Sequence, residues 1–315
     1  VRIREAGKVC DNLWYLGKEV SGVYLLEGLY ESMIVSGGMS FIVPDLLRQI
    51  KAFGIDETRI RKLLILHAHF DHVGIVPYFK RLNPELEIYA SARAWQILKM
   101  PKAITTINAY SDLNNEELGF KDIMSAYDTK WRDDVSGITV AESDTIDLGN
   151  MEVHILETPG HSSCSISAYV PDIKALFPSD GGGIPYKNET IPSGNSNYTQ
   201  FQESLEKLKD LDVDYLCADH FGYIKGDEAG TFISETIEAA KKFRTLMERV
   251  YGRIGNVEGA VQRLVAVATA ERPDYFLSQE IMTGVYRQMV KHIASVMESG
   301  ADQGVKSEPK RDSLL

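Results

Sequence analysis

Short apolar runs broken by glycine open the chain. Leu13–Gly17, Val23–Glu27 and Ser32–Ser36 predict three strands, and Gly37-Gly38 closes the third. From 44 to 53 the spacing becomes helical (Leu46, Leu47, Ile50, Phe53) and stops at Gly54. Lys62–Leu66 reads as a short buried strand running straight into His67, followed by a helix over Val73–Arg81 and a strand at Glu87–Ala90. Strand signals then vanish. Ala92–Leu98, Ile104–Ala109 and Glu116–Tyr127 have helical spacing, so 91–134 is predicted to be a helical insertion, too long for a plain connection. Strands return at Ile138–Val140, Met151–Glu157, Ser165–Val170 and Ala175–Phe177. A helix is expected from Thr199, where Thr199 and Gln202 fit a capping box, and Asp214–Ala218 is the last strand, beside His220.

From Asp227 the pattern is wholly helical. Ile233, Ile237, Phe243, Met247 and Val250 form one apolar stripe; Val257, Val261, Leu264, Val265 and Ala268 form another. A third runs from Ile281 through Val285, Met289 and Ile293 to Val296. The predicted organisation is an α/β unit over 1–226 containing the insertion at about 91–134, a helical extension over 227–300, and a polar tail over 301–315 expected to be disordered. The extension and the insertion are expected to pack at the edge of the site and to supply a homodimer contact.

Composition narrows the function. The chain has 315 residues, enough for a substantial core, and a net charge of −11. That field repels polyanions, and there is no basic stripe, so nucleic acid is not an expected partner and a small-molecule substrate is. No apolar run approaches the roughly 18 residues that a membrane span needs. Three scattered cysteines, Cys10, Cys164 and Cys217, form neither a disulfide framework nor a thiolate zinc site, and the expected setting is the reducing cytoplasm. The leading valine leaves open an export signal that has been removed.

The chemistry is concentrated in His67-Ala68-His69-Phe70-Asp71-His72. Three histidines and an aspartate at the end of a buried strand combine imidazole and carboxylate, a donor set suited to zinc, iron or manganese. In extended geometry His67 and His69 share a face, and Asp71 and His72 fall on the following turn. A lone histidine is usually a satisfied structural residue, and His154 in a strand and His292 in a helix are read so.

His-x-His-x-Asp-His resembles the signature of the metallo-β-lactamase superfamily. The rest of that pattern follows in order: Thr158-Pro159-Gly160-His161, then Phe177-Pro178-Ser179-Asp180 with serine where the family commonly has glycine, then Asp219-His220-Phe221-Gly222 in place of Gly-His-Gly. The resemblance implies an αββα four-layer sandwich. It also implies two divalent transition-metal ions, one held by His67, His69 and His161, the other by Asp71, His72 and His220, with Asp180 bridging. Within the superfamily the helical insertion and helical C-terminus are most similar to those of the quinolone signal response protein group, thioesterases acting on an aromatic acyl-coenzyme A.

The implied reaction is hydrolysis of an activated carbonyl (thioester, ester or lactone) by a hydroxide bridging the ions, with Asp71 orienting it. The alternatives are a phosphodiesterase of the same fold, a regulatory protein with an intact metal site, and a mononuclear iron persulfide oxygenase. Phe70, Tyr186 and Tyr223, close in sequence to the metal loops, are the expected substrate contacts.

Overall fold

The computed structural model describes residues 1–305. Its first half runs β1 (Arg2–Ile3), β2 (Gly7–Cys10), β3 (Leu13–Lys18), β4 (Ser21–Glu27), β5 (Ser32–Val35), α1 (Val43–Ala52), β6 (Ile60–Leu64), α2 (Val76–Leu82), β7 (Glu87–Ser91), α3 (Ala92–Leu98), α4 (Pro101–Glu117), α5 (Lys121–Met124) and β8 (Ile138–Val140). The second half comprises β9 (Thr145–Asp147), β10 (Glu152–Glu157), β11 (Ile166–Val170), β12 (Ala175–Phe177), β13 (Ile184–Tyr186), β14 (Glu189–Ile191), α6 (Tyr198–Leu208), β15 (Tyr215–Cys217), β16 (Tyr223–Lys225), α7 (Asp227–Ile254), α8 (Val257–Glu271) and α9 (Gln279–Val305).

Two seven-stranded sheets, β2-β3-β4-β5-β6-β7-β8 and β1-β16-β15-β12-β11-β10-β9, lie face to face. The period of two along each strand assigns the layers. On β4, Tyr24 and Leu26 enter the core between the sheets with Ile155, Ala168 and Phe177, whereas Val23 and Leu25 pack outward with Leu46 and Ile50 of α1 and Val76 of α2. The outer face of the second sheet (Leu176, Leu216, Ile224) is covered by α6 to α9 through Phe201, Phe232, Leu264 and Ile293. The order of layers is therefore helix, sheet, sheet, helix, and the apolar stripes of α7, α8 and α9 turn toward the chain's own core, with Val296 left exposed.

Several boundaries differ from the sequence reading. The helix expected over Glu116–Tyr127 is only α5, because α4 continues to Glu117 and Gly119, at φ 75°, breaks the run. Helix α6 is capped by Asn197, whose side chain accepts from the Gln200 N–H at 3.0 Å; Thr199 instead meets Nε2 of His292 at 3.1 Å through its hydroxyl. The hairpin β13–β14 has no alternating apolar signature, since proline, lysine and asparagine interrupt it. Helix α9 extends to Val305, past the start of the expected tail, and 306–315 lie outside the described residues.

The insertion is tied down at Trp131, which is fully buried. Its indole N–H donates to the Leu98 carbonyl at 2.9 Å, while Asn108 makes a two-way bond with its backbone. Helix α4 thereby leans over the segment after β6, where the Tyr110 ring meets Phe70 edge-on at 5.5 Å.

Candidate metal centre

The segment from His67 to His72 leaves the end of β6 and turns once as a short 3-10 helix over Phe70–His72, so residues adjacent in sequence present side chains to one point. His161 follows the turn after β10. Its approach depends on Gly160, at φ 129°: a Cβ there would lie 2.2 Å from the Phe201 nitrogen. Asp180 and His220 leave β12 and β15, the adjacent parallel strands of the second sheet. Loops from both sheets thus meet at one edge of the sandwich.

All seven residues proposed as ligands converge. His67 Nε2, His69 Nδ1 and His161 Nε2 are 3.0–3.2 Å apart. His72 Nε2 and His220 Nε2 are 3.3 Å apart, with an Asp71 oxygen 3.6 Å from the first and 3.7 Å from the second. Asp180 lies between the groups: Oδ2 is 3.4 Å from His72 and 3.6 Å from His161, and Oδ1 is 3.6 Å from His220.

The outer nitrogens of four rings fix their tautomers. Nδ1 of His161 faces the Ser193 carbonyl at 2.7 Å, Nδ1 of His220 the Val20 carbonyl at 2.7 Å, and Nδ1 of His72 the Asp219 carboxylate at 2.8 Å. Each acceptor can only accept, so each Nδ1 carries the proton and each Nε2 presents a lone pair inward. Nδ1 of His67 meets the Ser179 hydroxyl at 3.1 Å; that hydroxyl donates to Asp219 at 2.6 Å, so it accepts from His67. Lone pairs this close repel unless a cation lies among them. Ligand atoms around a tetrahedral ion with bonds of about 2.0–2.1 Å stand roughly 3.3 Å apart, which the observed spacings fit.

The electrostatics divide the cluster. Burial foremost, with its neighbouring imidazoles, pushes His67 well down; burial also brings His69 and His161 to about 4, so these rings stay neutral. Burial opposes the charge of His72 too, but Asp180, Asp71 and the bond to Asp219 outweigh it and hold its pKa well up, so this ring gives up its Nε2 proton only to a cation placed among those carboxylates. Burial disfavours charge on Asp180, yet His72, His220 and His161 drive it far below the usual carboxylate range.

A cavity of about 530 Å³ opens from this cluster, with His69, Asp71, His161 and Asp180 in its wall. Of the three expected substrate contacts, only Phe70 lines it. Tyr186 is buried behind the wall, edge-on to Phe221 at 5.1 Å and to Tyr275 at 5.4 Å. Tyr223 is corrected outright: β16 directs it into the core between the sheets, 5.9 Å from Tyr15, because alternation along a strand outweighs closeness in sequence to His220.

The sequence reading missed Tyr275 and Phe276, in the link between α8 and α9. Both line the cavity; the Phe276 ring lies 4.6 Å from that of His220, and burial together with the Asp180 and Asp71 carboxylates keeps the Tyr275 hydroxyl protonated. No local pattern marks them, since their link to the cluster is made only by the packing of the extension. Asp219 and Ser179 were also missed as partners of the cluster, although both stand where the chain departs from the expected motif.

The sequence pattern of the metallo-beta-lactamase superfamily matches residues 21–220. The metallo-beta-lactamase fold-containing protein ST1585 of Sulfurisphaera tokodaii is 25% identical over 198 residues, 61% of this chain and 69% of that protein. A hydroxyacylglutathione hydrolase of Rhodopseudomonas palustris is 35% identical over 83 residues, 25% of this chain and 29% of that protein. The solved structure of the metallo-beta-lactamase family protein TTHA1429 from Thermus thermophilus matches with a TM-score of 0.65 at 15% identity, covering 93% of this chain and 96% of that one, a likeness of fold.

Proposed function

Because the chain belongs to the metallo-beta-lactamase superfamily, we propose that it is a dinuclear metal-dependent hydrolase acting on an activated carbonyl: a thioester, ester or lactone. The observation that carries this reading is the convergence of two complete donor sets, His67/His69/His161 and Asp71/His72/His220, on either side of Asp180 at the wall of a cavity of small-molecule size. Ions held there supply a nucleophile from water at neutral pH and a Lewis acid for the carbonyl oxygen.

The chain's own residues do the rest. The imidazoles, locked by their outer hydrogen bonds, hold the cluster in place with little reorganisation. Asp71 borders the cavity and accepts a hydrogen bond from the attacking water, orienting it. The protonated Tyr275 hydroxyl faces the same space and donates to the substrate's oxygen. The presence of the second donor set favours hydrolysis over a mononuclear iron oxygenase. The likeness to a protein named for hydroxyacylglutathione hydrolysis favours a carbonyl over a phosphodiester.

A hydrolysis panel tests this: acyl thioesters, aryl esters, lactones, a β-lactam and bis-aryl phosphodiesters, with His69→Ala as the control for contaminating activity. Turnover of a carbonyl substrate lost in His69→Ala is expected. Turnover of phosphodiesters alone sinks the reading, and metal-replete protein with no turnover favours a regulatory role.

A further inference from the structure

Apart from the metal loops, the cavity is built largely by segments added to the sandwich. Met100, Ala103 and Ile107 come from α4 and the end before it; Ile281, Val285 and Met289 come from α9. The aromatic pair Tyr275 and Phe276 joins these walls to the cluster. Two walls far apart in the sequence therefore present aliphatic groups to one space that begins at the candidate reaction centre.

The charges in the wall away from the cluster are few. Arg272 is engaged by both oxygens of Glu189, at 3.0 and 2.7 Å, and Lys102 is exposed. Two of the wall's hydroxyls are engaged: that of Thr106 donates to the Lys102 carbonyl at 2.9 Å, and that of Ser193 meets His161 at 2.9 Å. A charged group moved into this space would lose water and meet no buried counter-charge left unpaired in that wall. An aliphatic or aryl group would lose only unfavourable hydration.

We propose that the insertion and the C-terminal extension together form an acyl chamber, and that the substrate is the thioester or ester of an uncharged, unsubstituted apolar acid, medium-chain or aromatic. This rests on the carbonyl-hydrolase reading and makes it specific.

The test uses one thiol with acetyl, lactoyl, hexanoyl, decanoyl and benzoyl groups, and the protein as purified. Burial of each methylene is expected to raise kcat/KM about fourfold, chiefly through KM, until the chamber is filled. Lactoyl should be no better than acetyl. Val285→Trp on α9 and Ala103→Trp on α4, made separately, should each flatten that slope with metal content unchanged. In parallel, decanamide should displace an apolar fluorophore from the protein at least tenfold more effectively than acetamide, and less so from either variant. Turnover with no chain-length slope, or with lactoyl preferred, overturns the chamber. Chain-length-dependent displacement without turnover of any ester or thioester upholds the chamber and sinks the hydrolase reading instead.

Discussion

Asp219 accepts from Nδ1 of His72 and from the hydroxyl of Ser179, which in turn accepts from Nδ1 of His67. One buried carboxylate therefore orients a histidine from each donor set. Ser179 and Asp219 are two of the places where the chain departs from the family's glycine-containing motif. Ser179 keeps the glycine-like backbone, at φ 49°, and adds the hydroxyl that the relay needs. Loss of such an outer partner weakens metal binding by roughly 10- to 100-fold. Asp219→Asn and Ser179→Ala are therefore expected to release metal to a competing chelator that much more readily, with the double variant little worse than Asp219→Asn alone. Strictly additive losses would show that the two residues do not act through one another. Asp180→Ala should lose at least one of about two ions per chain by elemental analysis; full occupancy would refute the bridging assignment. Tyr275→Phe should lower kcat on the order of a hundredfold without changing metal content. Tyr223→Phe, in the inter-sheet core, should not, and equal effects would dismiss the donor role of Tyr275.

Among the elements, the turn between β10 and β11 is tightly constrained. Gly160 combines a positive φ with contact against the first turn of α6, so the placement of His161 depends on how α6 sits on the second sheet. Gly160→Ala adds strain on the order of 1–3 kcal/mol, before any clash, and displaces a ligand. A lowered Tm together with reduced metal content is expected by calorimetry and elemental analysis; an unchanged Tm would mean that the loop can shift freely. Helix α4 shows the complementary case. Its local sequence is weakly patterned, and its position comes from Trp131, Asn108 and the Phe70–Tyr110 contact.

For the whole molecule, the extension is part of the core packing. Leu176, Leu216 and Ile224 of the second sheet are buried under helices that include α7, α8 and α9. Removing the chain from Asp227 onward exposes that apolar face and opens one wall of the cavity, so the truncated protein is expected to be insoluble or inactive. A soluble truncation with unaltered kinetics would show that the extension neither covers the sheet nor shapes the substrate. The described residues contain no helix long and apolar enough to cross a membrane.

The sequence by itself determined most strands and helices and the candidate donors. The short apolar runs at β4 and β10, the helical stripes after Asp227 and the His-x-His-x-Asp-His run are local patterns, set by the pitch of one strand or helix and by the chemistry of neighbouring side chains. Only the tertiary structure decided what surrounds those donors. Tyr275 and Phe276 reach the cluster from a separate segment well beyond His220, Asp219 links His72 to Ser179 across the sandwich, and Tyr223 turns into the core despite its closeness to His220. Such contacts come from the packing of elements whose local patterns carry no record of their partners, so the candidate ligands were legible in the sequence and the cavity beside them was not.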